Sequence, residues 1–139
     1  MTLIVDASVA LKWVIDEPDA ETAAALLTRS MMAPDLFQAE IGHALTKRVR
    51  RSQTSPEQAQ AGFAAILSRV SLLSTRSLGA SALNYSIVLR HTIYDCFYLA
   101  MAEASGRPFV TSDGVFVRKL RESGRGGLVY LLGEELPVG

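Results

Sequence analysis

Short apolar runs alternate with longer segments of helical periodicity along this chain. Residues 3–5, 109–111 and 128–132 are continuous runs rich in aliphatic and aromatic residues, typical of strands that are buried on both faces. Residues 70–73 form a weaker run, and residues 31–33 are predicted as a strand mainly from their position in the chain. The pattern therefore predicts several short strands separated by helices.

The segments between these strands carry helix signals. The Ser-Pro-Glu-Gln sequence at residues 55–58 is a capping box with proline at the first helical position, and it is the clearest helix start in the chain. Pro18 is predicted in the first turn of a helix, because the acidic residues around it favour the positive end of the helix dipole. Further helices are predicted over residues 35–51, 77–90, 95–105 and 113–122, with Gly106 and Gly124 as helix stops.

Short buried strands that alternate with helices predict an α/β fold, a three-layer α/β/α sandwich with a central parallel sheet. Right-handed crossovers place the carboxyl ends of parallel strands along one edge of the sheet, where ligands of open α/β sheets bind. A length of 139 residues corresponds to about one domain, and the chain shows no repeat or interdomain linker. Residues 1–139 are therefore predicted to form a single domain.

Three aspartates fall where this architecture would bring them together. Asp6 directly follows the first strand, and Asp113 follows the strand at residues 109–111. Asp95 is predicted to open a helix, and helices in such a fold begin at the same edge of the sheet. Aspartate is also a favoured helix N-cap, so each of the three could act only as a cap. Both interpretations stay open for each residue taken alone.

Glu40 lies on the apolar face of the helix predicted at residues 35–51. Positions 36, 37, 40, 41, 44 and 45 share that face, and all of them except Glu40 are apolar. A carboxylate in an apolar stripe is rarely buried unless it is paired or bound to a metal. The alternative is a residue at the edge of the stripe whose side chain extends to water.

Grouping these acids changes their interpretation. Four carboxylates in one cleft repel each other, and without a cation at least one should take up a proton. A set of oxygen ligands that requires neither Cys nor His selects a hard cation, Mg²⁺ or Mn²⁺, over zinc. Such an ion keeps bound waters and can promote hydrolysis at a phosphoryl centre. The candidate catalytic and metal-binding residues are Asp6, Glu40, Asp95 and Asp113.

Composition adds constraints on partners and compartment. The 14 Lys and Arg residues balance the 14 Asp and Glu residues, so overall charge gives no sign of nucleic-acid binding. The single cysteine, Cys96, cannot form an internal disulfide and fits a reducing compartment. The first residues lack a basic segment and meet a carboxylate at Asp6, and no apolar run reaches about 18 residues. A cytoplasmic location is therefore expected.

Each of the four acids lies in a recognisable motif. The motifs are Val-Asp-Ala-Ser-Val-Ala-Leu-Lys-Trp at residues 5–13, Glu-Ile-Gly-His-Ala-Leu at residues 40–45, Tyr-Asp-Cys-Phe-Tyr-Leu-Ala-Met-Ala at residues 94–102 and Thr-Ser-Asp at residues 111–113. In this order, and across most of the chain, they resemble the acidic motifs of PIN-domain nucleases, specifically the VapC toxins of bacterial toxin–antitoxin pairs.

The resemblance implies a PIN-like α/β/α sandwich, a homodimer, and a Mg²⁺-dependent endoribonuclease that is inhibited by a cognate antitoxin. Carried over by position, it implies that the metal is bound by Asp6, Glu40, Asp95 and Asp113, with Ser8 and Thr111 in support through hydrogen bonds. The family commonly has asparagine where this chain has His43, which could orient Glu40, contact RNA or be a surface histidine. His91 has no motif support and is interpreted as structural.

Two groups of basic residues are candidates for contacts with RNA. They are Lys47, Arg48, Arg50 and Arg51 at the end of the Glu40 helix, and Arg118, Lys119, Arg121 and Arg125 near the C-terminus. The first group begins within about 12 Å of Glu40 along a helix, which would let an RNA strand pass from the acids to the basic end. Cations also favour helix C-termini, so a solvated helix end is the alternative.

Two other functions fit part of this pattern. Another Mg²⁺-dependent phosphate enzyme would also use acids at strand ends, but a haloacid-dehalogenase-type phosphatase needs Asp-x-Asp after its first strand, where Ser8 occupies the second place. The acceptor aspartate and lysine of a phospho-receiver domain are not evident either. A non-catalytic PIN-like module that binds RNA or protein is disfavoured by the presence of all four acids.

Overall fold

Five parallel strands form the centre of the structure, a computed structural model that describes residues 1–138. The strands are β1 (Leu3–Val5), β2 (Met31–Pro34), β3 (Ser71–Leu73), β4 (Phe109–Thr111) and β5 (Val129–Leu131). The helices are α1 (Ala7–Ala10), α2 (Ala20–Ala24), α3 (Leu36–Arg50), α4 (Pro56–Leu67), α5 (Gly79–Leu89), α6 (Ile93–Ser105) and α7 (Gly114–Glu122). Short 3₁₀ segments follow α1 and α2 and precede α5.

The strands lie in the spatial order β3-β2-β1-β4-β5. β1 pairs with β2 on one side, where Leu3 is opposite Met31, and with β4 on the other, where Val5 is opposite Val110. The chain thus builds outward from β1 to β3 and then returns to add β4 and β5 beyond β1. The carboxyl ends of β1 and β4 flank this reversal, which is where open α/β sheets bind their ligands.

Helices cover both faces of the central strands. All residues of β1, β2 and β4 are buried, and successive side chains of a strand point to opposite faces, so neither face is open to solvent. α6 contacts β1, β2 and β4 and packs against α5, while α1 contacts β4 and α3, and α3 pairs with α4. The predicted α/β/α sandwich is confirmed, and Cys96 on α6 is buried in its core.

One predicted helix start is wrong in a way that affects the site. α6 begins at Ile93, so Asp95 is its third residue and does not open it. The N-cap is Thr92, whose φ of −56° and ψ of 138° lie outside the helical region. The five predicted strands, and the predicted helices that begin near residues 35, 77 and 113, agree with the observed bounds to within two residues.

The two remaining predicted helix starts have different outcomes. The capping box at Ser55 is confirmed, because its hydroxyl accepts the backbone N–H of Gln58 at 3.1 Å and the Gln58 side chain accepts the backbone N–H of Ser55 at 3.3 Å. Pro18, in contrast, lies before the N-cap of α2, Asp19, and is not in the first turn. Asp19 forms an ion pair with Lys12 at 3.0 Å. Within residues 1–138, no helix is both long and apolar enough to cross a membrane.

Candidate functional site

Asp6 follows β1 and is buried at the centre of the site. Its Oδ2 atom accepts hydrogen bonds from the Ser8 hydroxyl at 2.8 Å and the Thr111 hydroxyl at 2.7 Å. Asp6 is the N-cap residue of α1 by position, but its side chain makes no capping hydrogen bond, so capping does not account for its carboxylate. Burial raises the pKa of its carboxyl group from 3.8 to about 6, although the two hydroxyl bonds oppose the rise.

The hydroxyl groups of Ser8 and Thr111 join the ends of β1 and β4. Thr111 Oγ1 donates to Asp6 and accepts the backbone N–H of Asp113 at 3.1 Å. Ser8 Oγ also donates to Asp6 and accepts the backbone N–H of Ser112 at 3.2 Å. Each hydroxyl is therefore fixed as donor and acceptor, and both donate to Asp6, while support of a bound metal by Ser8 and Thr111 stays a prediction.

Asp113 follows β4 and has two roles in the structure. Its Oδ1 atom accepts the backbone N–H of Phe116 at 3.1 Å, so the interpretation as an N-cap of α7 is correct for this oxygen. Its Oδ2 atom lies 3.9 Å from Nε2 of His91. One carboxyl group thus caps a helix and also faces the other acids.

Glu40 enters the site from the second turn of α3. The hydroxyl of Tyr98, a fully buried residue of α6, donates a hydrogen bond of 2.7 Å to Glu40 Oε1. Burial and the nearby charges of Asp6 and Asp95 together raise the pKa of Glu40 from 4.5 to about 7, against the opposing effect of the Tyr98 hydrogen bond. Tyr98 is thus a core residue that also holds one of the candidate acids.

Asp95 meets a residue that the motifs did not identify. Its Oδ2 atom lies 2.6 Å from Nε2 of His91. Burial raises the pKa of the Asp95 carboxyl group, and the His91 hydrogen bond opposes that rise. We interpreted His91 as structural, but its ring lies beside two of the candidate acids. His91 lies before the N-cap of α6, so helical spacing gave no signal that linked it to Asp95.

The four acids line one cleft of about 630 Å³. The cleft is also lined by Ala7, Ser8, Leu11, Leu36, Ala39, His43 and Tyr94. Four segments that are distant in sequence therefore converge at the carboxyl ends of β1 and β4. His43 is exposed and lines the cleft, but among the described residues it makes no hydrogen bond to Glu40. The roles of these residues in metal binding and catalysis stay predictions.

The sequence profile of the PIN domain matches residues 3–121, a span that contains all four acids. The chain belongs to the PIN domain family. Over 109 residues it is 35% identical to Ribonuclease VapC1 of Mycobacterium tuberculosis, a match that covers 72% of this chain and 80% of that protein. The resemblance drawn from the acidic motifs is thereby confirmed.

Solved structures share the fold of this PIN domain. PAE2754 from Pyrobaculum aerophilum superposes with a TM-score of 0.69 at 24% identity and covers 86% of this chain and 79% of its own. A chain of a toxin–antitoxin complex from Klebsiella pneumoniae superposes with a TM-score of 0.69 at 12% identity, covering 96% of this chain and 99% of its own. At these identities the likeness concerns the fold alone.

The candidate RNA-binding residues of this PIN domain lie outside the acidic cleft. Of Lys47, Arg48, Arg50 and Arg51, only Arg48 is partly buried; it lines a separate cavity between α3 and α4, and the other three are exposed. In the second basic group, Lys119 contacts His91, Arg121 forms a salt bridge with Glu134, and Arg125 lies over the ring of Tyr85. Most of the second group is thus engaged within the protein.

The cleft of this PIN domain fits a hard divalent cation. Within residues 1–138 its lining contains four carboxylates and neither lysine nor arginine. The pKa values of Asp6, Glu40 and Asp95 are all raised, because burial and neighbouring carboxylates disfavour the charged forms. His91, Asp95 and Asp113 each offer one possible ligand atom, and these atoms lie within 4.8 Å of one another. Carboxylate oxygens in this arrangement suit Mg²⁺ or Mn²⁺.

Proposed function

We propose that this PIN domain is a Mg²⁺-dependent endoribonuclease and the toxin of a toxin–antitoxin pair. The observation that carries the proposal is the convergence of four carboxylates in one cleft at the β1/β4 reversal of the sheet. The name of the 35% identical relative, Ribonuclease VapC1, supports RNA as the substrate. The chemistry proposed is hydrolysis of an RNA phosphodiester.

The metal would be held by Asp6, Glu40, Asp95 and Asp113, with Mn²⁺ as a possible substitute for Mg²⁺. When bound, a divalent cation supplies activation of water for in-line attack and stabilisation of the charge on the phosphoryl oxygens. The protein contributes orientation: hydrogen bonds from hydroxyl, imidazole and backbone groups fix one oxygen of each acid. Groups fixed in this way need no rearrangement when the substrate reacts.

The proposed partner is a cognate antitoxin protein. Support comes from the Klebsiella pneumoniae structure, which is a toxin–antitoxin complex and shares the fold over nearly the whole chain. We further propose a single domain over residues 1–139 that acts as a homodimer in the cytoplasm. Co-expression with the product of an adjacent short reading frame should relieve growth inhibition and abolish RNA cleavage by the purified complex; toxicity that persists with a bound product would contradict the antitoxin assignment.

The first experiment is a cleavage assay on total bacterial RNA with EDTA, Mg²⁺ or Mn²⁺. We expect cleavage only with a divalent cation, and its loss in Asp95→Asn, because an amide supplies one neutral ligand oxygen in place of a carboxylate. The matched control is Asp16→Asn, which removes an exposed acid from the loop before α2 and should cleave like the wild type. Mapping the 5′ ends of the products identifies the target RNA.

The outcomes of this assay separate the competing functions. Full Mg²⁺-dependent cleavage by Asp95→Asn would remove this residue from the site. Absence of cleavage by the wild type under every metal condition, together with RNA or antitoxin binding, would favour a non-catalytic binding module. Hydrolysis of a small phosphate ester but not of RNA would favour another Mg²⁺-dependent phosphate enzyme.

A further inference from the structure

His91 is held on several sides in the segment between α5 and α6. Its ring stacks on Phe116 of α7 with centroids 4.4 Å apart, and its side chain is only 10% exposed. The Ser86 hydroxyl donates to the backbone oxygen of His91 at 2.5 Å. Nε2 faces Asp95 Oδ2 at 2.6 Å, and Nδ1 faces the ammonium group of Lys119 at 3.2 Å. These contacts hold both the backbone and the ring of His91 in one position.

These two ring contacts define where the proton lies. A lysine ammonium group has three donors and no acceptor, so Lys119 can only donate to Nδ1. Nδ1 must then be the acceptor nitrogen, which leaves the ring proton on Nε2. Nε2 is therefore the donor to the carboxylate of Asp95. An ionised Asp95 carboxylate can only accept, so Lys119 and Asp95 select the same tautomer from opposite sides of the ring.

Lys119 is itself fixed by the end of α5. Its Nζ atom also donates to the backbone oxygen of Arg90 at 3.1 Å. Arg90 ends α5 in the left-handed conformation, with φ 51° and ψ 49°, which turns the chain toward α6. The ammonium group thus joins α7 to the α5–α6 turn, and the His91 ring lies between this junction and the acids.

We propose that His91, with its proton held on Nε2 between Lys119 and Asp95, is a positioning residue for Asp95. His91 does not line the cleft, whereas Asp95 does, so His91 acts through the carboxylate and does not reach the substrate. Histidine and carboxylate partners outside a ligand set commonly orient the groups that bind a metal. The inference rests on the proposed function, because it concerns how Asp95 is presented to the cation.

The first test uses the metal-free protein and asks only about the tautomer. Long-range ¹H–¹⁵N spectra of ¹⁵N-histidine-labelled protein should show the His91 proton on Nε2. In Asp95→Asn the amide can donate or accept, so Lys119 alone should keep the proton on Nε2. Adding Lys119→Met should then give a tautomer mixture, whereas adding Arg118→Met, which removes an exposed cation one residue earlier on α7, should not. A proton on Nδ1 in the wild type, or an unchanged tautomer when Lys119→Met is added to Asp95→Asn, would overturn the inference.

The second test compares two amides that place a donor differently. The amide of His91→Gln can place its N–H₂ near the position of Nε2, whereas that of His91→Asn places it near Nδ1. Mg²⁺ affinity, measured by calorimetry without RNA, should stay within a few-fold of wild type in His91→Gln and fall by roughly tenfold in His91→Asn. Thermal unfolding establishes that both variants are folded. Equal affinities for the two folded variants would overturn the positioning role.

A third measurement separates positioning from direct ligation. Electron spin-echo spectra of Mn²⁺ bound to the ¹⁵N-histidine-labelled protein should show no coupling to a histidine nitrogen. Such a coupling that is present in the wild type and absent in His91→Gln would make His91 a ligand and overturn the inference. If the wild type binds neither ion, the proposed function fails, and the tautomer spectra alone then decide whether Lys119 and His91 form the inferred arrangement.

Discussion

The buried charge of Asp6 is expected to destabilise the metal-free protein at neutral pH, so its removal should stabilise the fold. Asn at position 6 has nearly the same shape, and its amide oxygen can accept the hydrogen bonds that the Ser8 and Thr111 hydroxyls now donate to Oδ2. The change therefore removes a charge from a side chain that is 5% exposed and leaves the surrounding contacts in place.

The size and sign of this stability change follow from the raised pKa of Asp6. Its pKa is 3.8 in the unfolded reference and about 6 in the folded protein, so folding favours the protonated form. The associated stability is complete below pH 3.8 and is lost as the pH rises through about 6. The difference between the two pKa values corresponds to about 3 kcal/mol at pH 7.5. Since Asn carries no charge at any pH, Asp6→Asn should avoid most of that loss.

The assay is urea unfolding in EDTA at pH 4 and pH 7.5. With a urea slope of roughly 1–3 kcal/mol per molar, the midpoint of Asp6→Asn should exceed that of the wild type by about 1–3 M at pH 7.5 and should match it near pH 4. Asp16→Asn, at an exposed carboxylate, is the control and should change neither midpoint. Equal or lower stability of Asp6→Asn at pH 7.5, or the same gain at both pH values, would refute the reasoning.

Urea unfolding of the same proteins also reports on metal binding. A cation that binds only the folded state stabilises it by RT ln(1 + [L]/Kd), so Mg²⁺ should raise the midpoint of the wild type at pH 7.5. Asp6→Asn lacks a proposed ligand and should respond less. We therefore expect the advantage of the variant to shrink or reverse as Mg²⁺ is added, whereas Asp16→Asn should follow the wild type.

Three further changes test separate parts of the structure. Tyr98→Phe removes the donor to Glu40, so the pKa of Glu40 should rise further above about 7 in metal-free protein, measured by carbon NMR of the carboxyl group; an unchanged or lower pKa would contradict the contact. Ser55→Ala removes the capping box of α4 and should lower the free energy of unfolding by about 1 kcal/mol in urea. Arg48→Ala should reduce the slope of the logarithm of the RNA-binding constant against the logarithm of salt concentration by roughly one unit. The control is Arg69→Ala, at an exposed arginine, and equal slopes for the two variants would make the basic end of α3 a solvated helix terminus.

The sequence could predict the convergence of the acids because it depends on topology. Once short buried strands alternate with helices, every strand end and every helix start lies at a known edge of the sheet. The strands before Asp6 and Asp113 have the predicted bounds, and the two acids follow them within two residues. Glu40 could be identified because a carboxylate interrupts an otherwise apolar helix face.

The partners of the acids could not be predicted, because they depend on which side chains of different segments meet. Tyr98 has the spacing of a core residue on α6, and its sequence context contains no indication that its hydroxyl reaches α3. His91 lies before α6, where helical spacing does not apply, and its ring is positioned by Phe116 and Lys119 from another helix. Contacts of this kind follow from packing and not from periodicity.

A shared arrangement links the four acids of the cleft: in each, one oxygen is fixed by a donor from the protein. The pairs are Asp6 with Ser8 and Thr111, Glu40 with Tyr98, Asp95 with His91, and Asp113 with the backbone N–H of Phe116. Hydrogen bonds to a carboxylate favour its charged form and so oppose the effect of burial. Because these donors come from several elements of the fold, the geometry of the cleft depends on the packing of the whole sheet edge. Loss of one donor should therefore disturb one acid and weaken metal binding, while the fold persists.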